Sequence, residues 1–305
     1  MPARSSRSAP SRTRTRSAGS PAAARGPRTP ATPVSRAPAA AARAGKPPTA
    51  ARRRTAGKAP SPPPASRAAK KAAPLHRIRF PGETTAYRAA RNRLLEAEMD
   101  LRLRIEEVAR LRRSLPAGGT VPKDYVFVEG GADLEDRSTR REVRMSDLFE
   151  HPEASLVVYS FMYGPAMAKA CPMCTAMLDS LNGASPHVRQ RINLVVVARS
   201  PIERIRDFAR ARGWHGLRLL SSAGNSYNPD YRGEDPAGAQ QPVLNVFRRA
   251  GDRIVHTYCT ELAFAPRAPG MHPRHVDVIW PLWNLFDFTA EGRGTDWYPS
   301  LQYGA

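Results

Sequence analysis

Residues 155–183 read SLVVYSFMYGPAMAKACPMCTAMLDSLNG, and this stretch decides the fold. Its first nine residues form a largely apolar run of strand length, which predicts a buried strand. The last thirteen residues predict a helix with Pro172 in its first turn and its end at Gly183. The strand therefore delivers Cys171 to the start of a helix, and Cys174 lies one turn further along it.

Segments on both sides of this unit continue the alternation of strands and helices. A short strand is predicted before it, and two further strands, a hairpin and two helices after it. The predicted strands are 124–131, 155–163, 192–199, 217–222, 241–247 and 252–258, and the helices after the thiol helix are 200–213 and 272–288. This order predicts an α/β fold with a mixed sheet and helices on both faces.

Local sequence signals predict the start of one later helix and a kink in the other. Ser200 is predicted to cap the helix at 200–213, with Pro201 in its first turn and Glu203 three residues past the cap. Pro281 is predicted to kink the helix at 272–288, because an interior proline removes a backbone hydrogen bond.

A long amphipathic helix precedes the sheet. The segment FPGETTAYRAARNRLLEAEMDLRLRIEEVARLRRSLPAGG (80–119) can be capped by Thr84 or Thr85 and stops at PAGG. Its apolar residues recur at helical spacing while the outer face alternates Arg with Glu. They are Tyr87, Leu94, Leu101, Ile105, Val108 and Leu111. We expect this helix to pack on the domain; pairing with a second copy is the alternative.

The first 74 residues differ sharply in composition from the rest. They hold 17 Lys and Arg, 14 Pro, no Asp or Glu and no aromatic residue, which predicts a disordered basic tail. This tail carries +17 of the chain's net charge of +21. The predicted organisation is a tail at 1–74, a helical extension at 75–120 and a thioredoxin-like domain at 121–305, as the resemblance below implies.

The tail's scattered cations resemble those of segments that neutralise nucleic-acid phosphates without reading sequence. A solvated extension without a partner and an organelle transit peptide are the alternatives. The sequence shows no secretory signal and no apolar run of about 18 residues, so no membrane span is expected. Three cysteines fit a reducing compartment, and a cytoplasmic location is expected.

The start of a helix favours an anion, because unpaired N–H groups and the helix dipole point at it. A cysteine there can have a pKa between roughly 3.5 and 7.5 instead of about 8.5. Lys169 adds a cation two residues upstream. We therefore assign Cys171 as a nucleophile and Cys174 as the resolving thiol, with a redox-active disulfide in place of a cofactor.

Other roles for these residues stay open. A metal site needs about four N or S ligands, and the candidates are Cys171, Cys174, Cys259, His256, His272 and His275. Cys259 is expected to be a small buried hydrophobe, and Asp179 a surface residue. In EGRGTDWYP (291–299), Asp296 with its aromatic neighbours either lines a cleft or anchors the C-terminus, and we favour the anchor.

Several segments resemble a little-characterised thioredoxin-like family labelled predicted dithiol-disulfide isomerase, or domain of unknown function. The resemblance covers about residues 76–303 and rests on VVYSFMYGP, CPMC, VVVARSPIERI, LRLLSSAGNSYNPDY and DVIWPLWNLFDFTAEGRGTDWYP. It implies a thioredoxin fold with a peroxiredoxin-type extra strand. Pro242, which follows Gln241, then matches the usual cis-proline position and would shape the substrate groove with it. Tyr163 and Gly164 are expected to flank the groove, because they join the thiol strand to its helix.

These observations favour a thiol–disulfide oxidoreductase that reduces, forms or isomerises disulfides. It would act on a protein or small-molecule disulfide and be recycled by an external thiol reductant. The Pro-Met pair between the cysteines leaves the direction open, and Ala168 stands where peroxiredoxins have Thr or Ser. The alternative is a non-catalytic binding module for protein or metal contacts, with a nucleic-acid-binding tail.

Overall fold

The computed structural model describes residues 75–302 except 273, 275 and 296. All of them belong to the unit Ala73–Ala305. The predicted tail at 1–74 lies outside the described residues, as do His275 and Asp296.

The described residues form one mixed sheet. Its strands are β1 (Val126–Gly130), β2 (Arg140–Arg144), β3 (Leu156–Ser160), β4 (Asn193–Ala198), β5 (Leu219–Ser221), β6 (Leu244–Ala250) and β7 (Arg253–Cys259). Their order in the sheet is β2-β1-β5-β4-β3-β6-β7. The central strands β3, β4 and β5 are parallel, whereas β6 runs antiparallel to β3, and β1 antiparallel to β5.

Helices connect and flank these strands. They are α1 (Thr85–Arg113), α2 (Pro172–Val188), α3 (Ile202–Arg212), α4 (Tyr227–Asp230) and α5 (Pro281–Phe286). Short 3-10 turns lie at Met145–Leu148, Glu261–Ala263 and Asp277–Ile279. None of the described helices combines the length and apolar composition that crossing a bilayer requires.

This arrangement is a thioredoxin-like fold, and the predicted fold class is confirmed. The unit β3–α2–β4 is followed by the hairpin β6–β7 and by α5, and these four strands lie in the order β4-β3-β6-β7. Strand β5 extends the sheet beyond β4, and β1 and β2 complete that edge. The strand β2 and the helix α4 were not predicted.

Alternate residues of the central strands face two separate cores. Tyr159, Val196 and Ala198 pack on the side of α2 and α3, while Val158 and Val197 pack on the opposite side. All six residues of β4 are buried, because both faces of a central parallel strand are covered. The sheet therefore fixes β3, and with it the residues leading to Cys171.

The thiol helix is longer than predicted. The prediction that it ends at Gly183 is wrong, since α2 continues to Val188 with Pro186 inside it. A proline removes the N–H that would bond the carbonyl four residues back. Here the Ser185 hydroxyl donates to that carbonyl, on Asn182, at 2.9 Å. The side chain thus replaces the missing backbone donor and lets the helix run on.

Two predicted helix signals act differently in the structure. Ser200 does not cap α3, which begins at Ile202; its Oγ donates to the Tyr163 carbonyl at 2.7 Å. Pro281 begins α5 instead of kinking a longer helix, because the first helical position has no N–H partner to lose. The region predicted as one helix at 272–288 is a 3-10 turn followed by α5.

Helix α1 has the predicted cap, with Thr84 Oγ1 accepting from the Tyr87 N–H at 3.2 Å. The expectation that it packs on the domain does not hold along most of its length, because Tyr87, Leu94, Leu101, Ile105 and Leu111 are exposed, whereas Val108 is half-buried. Near its C-terminal end the Arg112 guanidinium lies 5.3 Å from the centre of the Tyr258 ring. Gly118 then passes close to β7: a Cβ there would lie 2.6 Å from the His256 carbonyl oxygen.

Asp179, predicted to be a surface residue, is partly exposed but also binds a core side chain. Its Oδ1 accepts from the indole Nε1 of Trp214 at 2.7 Å and from Arg212 Nε at 3.2 Å. Trp214 is 1% exposed and belongs to the core beneath α2 and α3. The carboxylate therefore ties α2 to the end of α3.

We predict that Asp179→Ala lowers the free energy of unfolding by about 1–3 kcal/mol, since the buried indole N–H loses its acceptor. Urea unfolding of the reduced protein measures the change. Glu106→Ala, at an exposed position of α1, is the control and should stay within about 0.5 kcal/mol of the parent protein. Equal effects of the two changes would contradict this account of Asp179.

Candidate active site

Cys171 is the residue directly before α2. The Cys171 N–H donates to the Met162 carbonyl just after β3, at 3.1 Å, and this bond links the helix start to the strand end. Cys171 is the N-cap of α2, and its Sγ accepts from the Cys174 N–H at 3.5 Å. The predicted juxtaposition of strand end, thiol and helix start is therefore present in the structure.

This position lowers the pKa of Cys171 to about 6. The largest cause is the hydrogen bond that the Cys174 thiol donates to the Cys171 sulfur; the N–H groups of Cys174 and Met173 add to it, while burial opposes it. Cys171 is partly exposed. A pKa of about 6 favours the thiolate form at neutral pH.

Cys174 has the opposite environment. It is only 3% exposed, and burial, followed by the hydrogen bond to the Cys171 sulfur and its charge, raises its pKa well above the ordinary value. Two donors act against this shift: the Tyr159 hydroxyl and the Met162 N–H both hydrogen-bond to the Cys174 sulfur. The two thiols are therefore separated into an accessible anion and a buried neutral group.

Tyr159 was missed by the sequence analysis. It lies on β3, it is 1% exposed, and burial followed by its interactions with Cys174 raises its own pKa. A signal was present in the sequence, because a tyrosine inside a buried apolar strand carries a hydroxyl that needs a partner. Which partner it finds depends on where α2 docks on the sheet.

Arg204 on α3 holds the loop between β3 and Cys171. Its guanidinium donates to the carbonyl of Gly164 at 3.1 Å, to that of Pro165 at 3.4 Å and to that of Met167. The same group lies 4.2 Å from the centre of the Tyr163 ring, a cation–π distance. The sequence analysis did not single out Arg204, since only the fold brings α3 beside this loop.

The two predicted flanking residues lie within this loop. Tyr163 is buried, with its carbonyl bound by Ser200. Gly164 is buried at a point where a Cβ would lie 2.9 Å from Gln240 Cγ, so a larger residue there would have to displace the buried Gln240 side chain. Lys169 is exposed. The hydrogen bonds that lower the pKa of Cys171 come from residues 173 and 174.

Pro242 and Gln241 lie near the C-terminal end of β3, where the thiol loop begins. They directly precede Val243, whose carbonyl accepts from the Ser160 N–H at the end of β3, at 2.9 Å. Met162, which binds the Cys171 N–H, follows two residues after Ser160. The chain order and the antiparallel pairing thus bring the predicted groove residues to the edge from which the thiol loop leaves.

The other candidate metal ligands that the structure describes, His256, His272 and Cys259, have other surroundings. His256 Nε2 lies 3.0 Å from Asn245 Oδ1, and the His272 ring packs 4.4 Å from the ring of Trp283. Cys259 ends β7 and is 9% exposed, with burial as the main cause of its raised pKa. Across the described residues, no group of three or more His, Cys, Asp or Glu side chains is placed to hold a metal ion.

The described part of the segment 291–299 packs against α5. Arg293 donates from Nε to Asp287 at 2.8 Å and from Nη1 to Asp277 at 2.9 Å. The Trp297 ring meets the Trp283 ring edge-on at 5.6 Å. Trp297 also lines a cavity of about 390 Å³ beside Asp179 of α2. The segment therefore both anchors the C-terminal region and borders a cleft.

Solved structures with similar folds include several peroxiredoxins. The Enterococcus faecalis AhpC structure is 12% identical and has a TM-score of 0.37, covering 54% of this chain and 89% of that chain. The Mycobacterium tuberculosis peroxidoxin BcpB is 16% identical, with a TM-score of 0.35 and coverage of 55% and 95%.

A putative thioredoxin reductase from Burkholderia cenocepacia is 15% identical, with a TM-score of 0.36 and coverage of 52% of this chain and 90% of that chain. No curated protein matches the chain in sequence. A family model does match residues 78–303, which include every strand and helix described above. The chain belongs to the family described as Bacterial protein of unknown function (DUF899).

Proposed function

We propose that this protein is a dithiol–disulfide oxidoreductase in which Cys171 attacks and Cys174 resolves. The observation that carries the proposal is the contrast between the two thiols. Cys171 is a partly exposed helix cap with a pKa of about 6, and Cys174 is buried with a raised pKa. Only a thiolate attacks a disulfide, so the first step is assigned to Cys171.

In the first step the Cys171 thiolate attacks one sulfur of a substrate disulfide. A bond forms between Cys171 Sγ and that sulfur, the substrate S–S bond breaks, and the other substrate sulfur leaves as a thiolate that takes up a proton. Cys171 loses its negative charge in this step. The second and third causes of the raised pKa of Cys174, its hydrogen bond to Cys171 and the charge of Cys171, then disappear.

In the second step Cys174 loses its proton and attacks Cys171 Sγ. The hydrogen bonds from the Tyr159 hydroxyl and the Met162 N–H remain and stabilise the thiolate that forms. The intramolecular disulfide closes and the second substrate thiolate leaves and is protonated. Two electrons and two protons have passed to the substrate, and an external thiol reductant restores the starting state. The same site would isomerise disulfides if a second thiol of the substrate, and not Cys174, attacked the mixed disulfide on Cys171.

Turnover with insulin and an excess of dithiol reductant tests the assignment. We expect Cys171→Ser to lower the rate to that of the dithiol alone. Reduced Cys174→Ser, mixed with insulin after the dithiol has been removed, should retain a mixed disulfide on Cys171 that mass spectrometry detects. Cys259→Ser is the matched control, because this third thiol lies at the end of β7, and it should retain the parent rate. Full turnover by Cys171→Ser would overturn the proposed function.

The pH dependence of alkylation tests the ionisation of Cys171. With a pKa of about 6, roughly 90% of the thiol is ionised at pH 7, against about 3% for an ordinary cysteine. The rate constant with iodoacetamide should therefore rise as pH increases through about 6 and stay level above about 7.

Two substitutions of Cys174 separate the causes of that ionisation. Cys174→Ala removes the side-chain donor, which is the largest cause, and should move the midpoint upward toward the ordinary value. Cys174→Ser keeps an O–H donor and should move it less. Identical midpoints in the two variants would show that the side chain at position 174 does not control the pKa of Cys171.

Tyr159→Phe tests the second step. We expect closure of the Cys171–Cys174 disulfide to slow about tenfold or more, because a hydrogen bond to a charged group contributes about 1.5–3 kcal/mol. Acid quenching of a single turnover would show the mixed disulfide accumulating, while the alkylation profile of Cys171 stays near that of the parent. An unchanged rate of closure would remove Tyr159 from the mechanism.

A further inference from the structure

Helix α1 carries an apolar row with a seven-residue repeat. Taking Tyr87 as position a of a heptad, every later a position is apolar, and the d positions are small or apolar except for one arginine. The a residues are Tyr87, Leu94, Leu101 and Val108, and the d residues are Ala90, Ala97, Arg104 and Leu111. This row, called the α1 seam below, has the pattern of a two-stranded coiled coil.

The α1 seam is left largely uncovered by the rest of the described chain. Tyr87, Leu94 and Leu101 are 54%, 57% and 59% exposed. No other described helix or strand packs extensively along α1. An isolated helix in water is only marginally stable, and most helical stability in proteins comes from packing an apolar face. We therefore expect this helix of 29 residues to pack its apolar face against a partner.

We propose that this partner is α1 of a second copy of the chain, in a parallel two-stranded coiled coil. The charges beside the seam favour this arrangement. In a parallel pair, a g residue of one helix lies beside the e residue of the next heptad on the other. Arg93 then faces Glu98 of the second copy, and Glu107 faces Arg112. The remaining g–e pairs place no like charges together.

Antiparallel pairing is less favourable with the helices fully overlapped. It places g residues beside g residues. In this register Asp100 faces the Asp100 of the second copy and Glu98 faces the Glu98, so that only Arg93, beside Glu107, has an oppositely charged neighbour. Like charges in such positions repel. The sequence of the flanking positions thus selects the parallel orientation.

Arg104 is the one charged residue in the seam. It forms an ion pair with Glu107 of its own helix, which offsets its charge. A single polar residue at a core position of a coiled coil specifies register and orientation while weakening the association. We therefore expect a reversible dimer, formed at micromolar concentration, with the thioredoxin-like domains at the C-terminal end of the coil.

Sedimentation equilibrium of the full-length protein tests the proposal. Leu101→Lys, in the α1 seam, should shift the mass from two chains toward one. Leu103→Lys is the matched control, since Leu103 lies two residues on, is 65% exposed and falls outside the seam; it should remain a dimer. A parent protein that is a monomer at 100 µM, or equal disruption by both changes, would overturn the proposal.

A charge exchange tests orientation without touching the apolar row. Arg93→Glu and Glu98→Arg should each weaken the dimer about tenfold or more at low salt, because each places like charges together. The double variant should restore the parent affinity. A double variant as weak as the single ones would overturn the parallel arrangement. The alkylation profile of Cys171 reports on folding in every variant, and it does not depend on whether that thiol is catalytic.

Discussion

The hydrogen bonds donated to the Cys171 sulfur are the interaction on which the active site depends. The Cys174 thiol, the Cys174 N–H and the Met173 N–H all favour the anion over the neutral thiol, and together they exceed the opposing effect of burial. The two N–H donors are available because α2 begins at Pro172, which leaves the first N–H groups of the helix without backbone acceptors, and the Cys174 thiol lies one turn into the same helix. The same geometry buries Cys174 beneath the thiolate, so one structural feature gives the two sulfurs different chemistry.

This geometry is maintained from two sides. The sheet side supplies β3, whose residues alternate between the two cores, and Tyr159 on this strand reaches the Cys174 sulfur. The other side supplies Arg204, which binds successive carbonyls of the loop before Cys171. A loop with several unpaired carbonyls would have many conformations of similar energy. One guanidinium satisfies several of them at once, and the thiol is therefore presented from a defined backbone.

Helix α1 and the thioredoxin-like domain differ in how their apolar faces are covered. The domain covers both faces of its central strands within one chain, and it contains the thiol pair with Tyr159 and Met162, which interact with the Cys174 sulfur. Helix α1 instead leaves its seam exposed. The proposed second copy covers this face of α1. The proposed dithiol chemistry and the proposed association are thus physically separable, because they use different residues of the chain.

The sequence by itself determined the order of strands and helices except for β2, α4 and the 3-10 turn before α5, together with the mixed sheet, the placement of Cys171 at a helix start and the long helix α1. These follow from short-range periodicity and helix-end chemistry. Only the tertiary structure decided that α2 runs past Gly183, that Ser200 binds the Tyr163 carbonyl instead of capping α3, and that Asp179 holds the Trp214 indole. It also decided the roles of Tyr159 and Arg204. Each of these depends on a partner distant in sequence, and a polar group chooses its partner only when the fold has brought the candidates together.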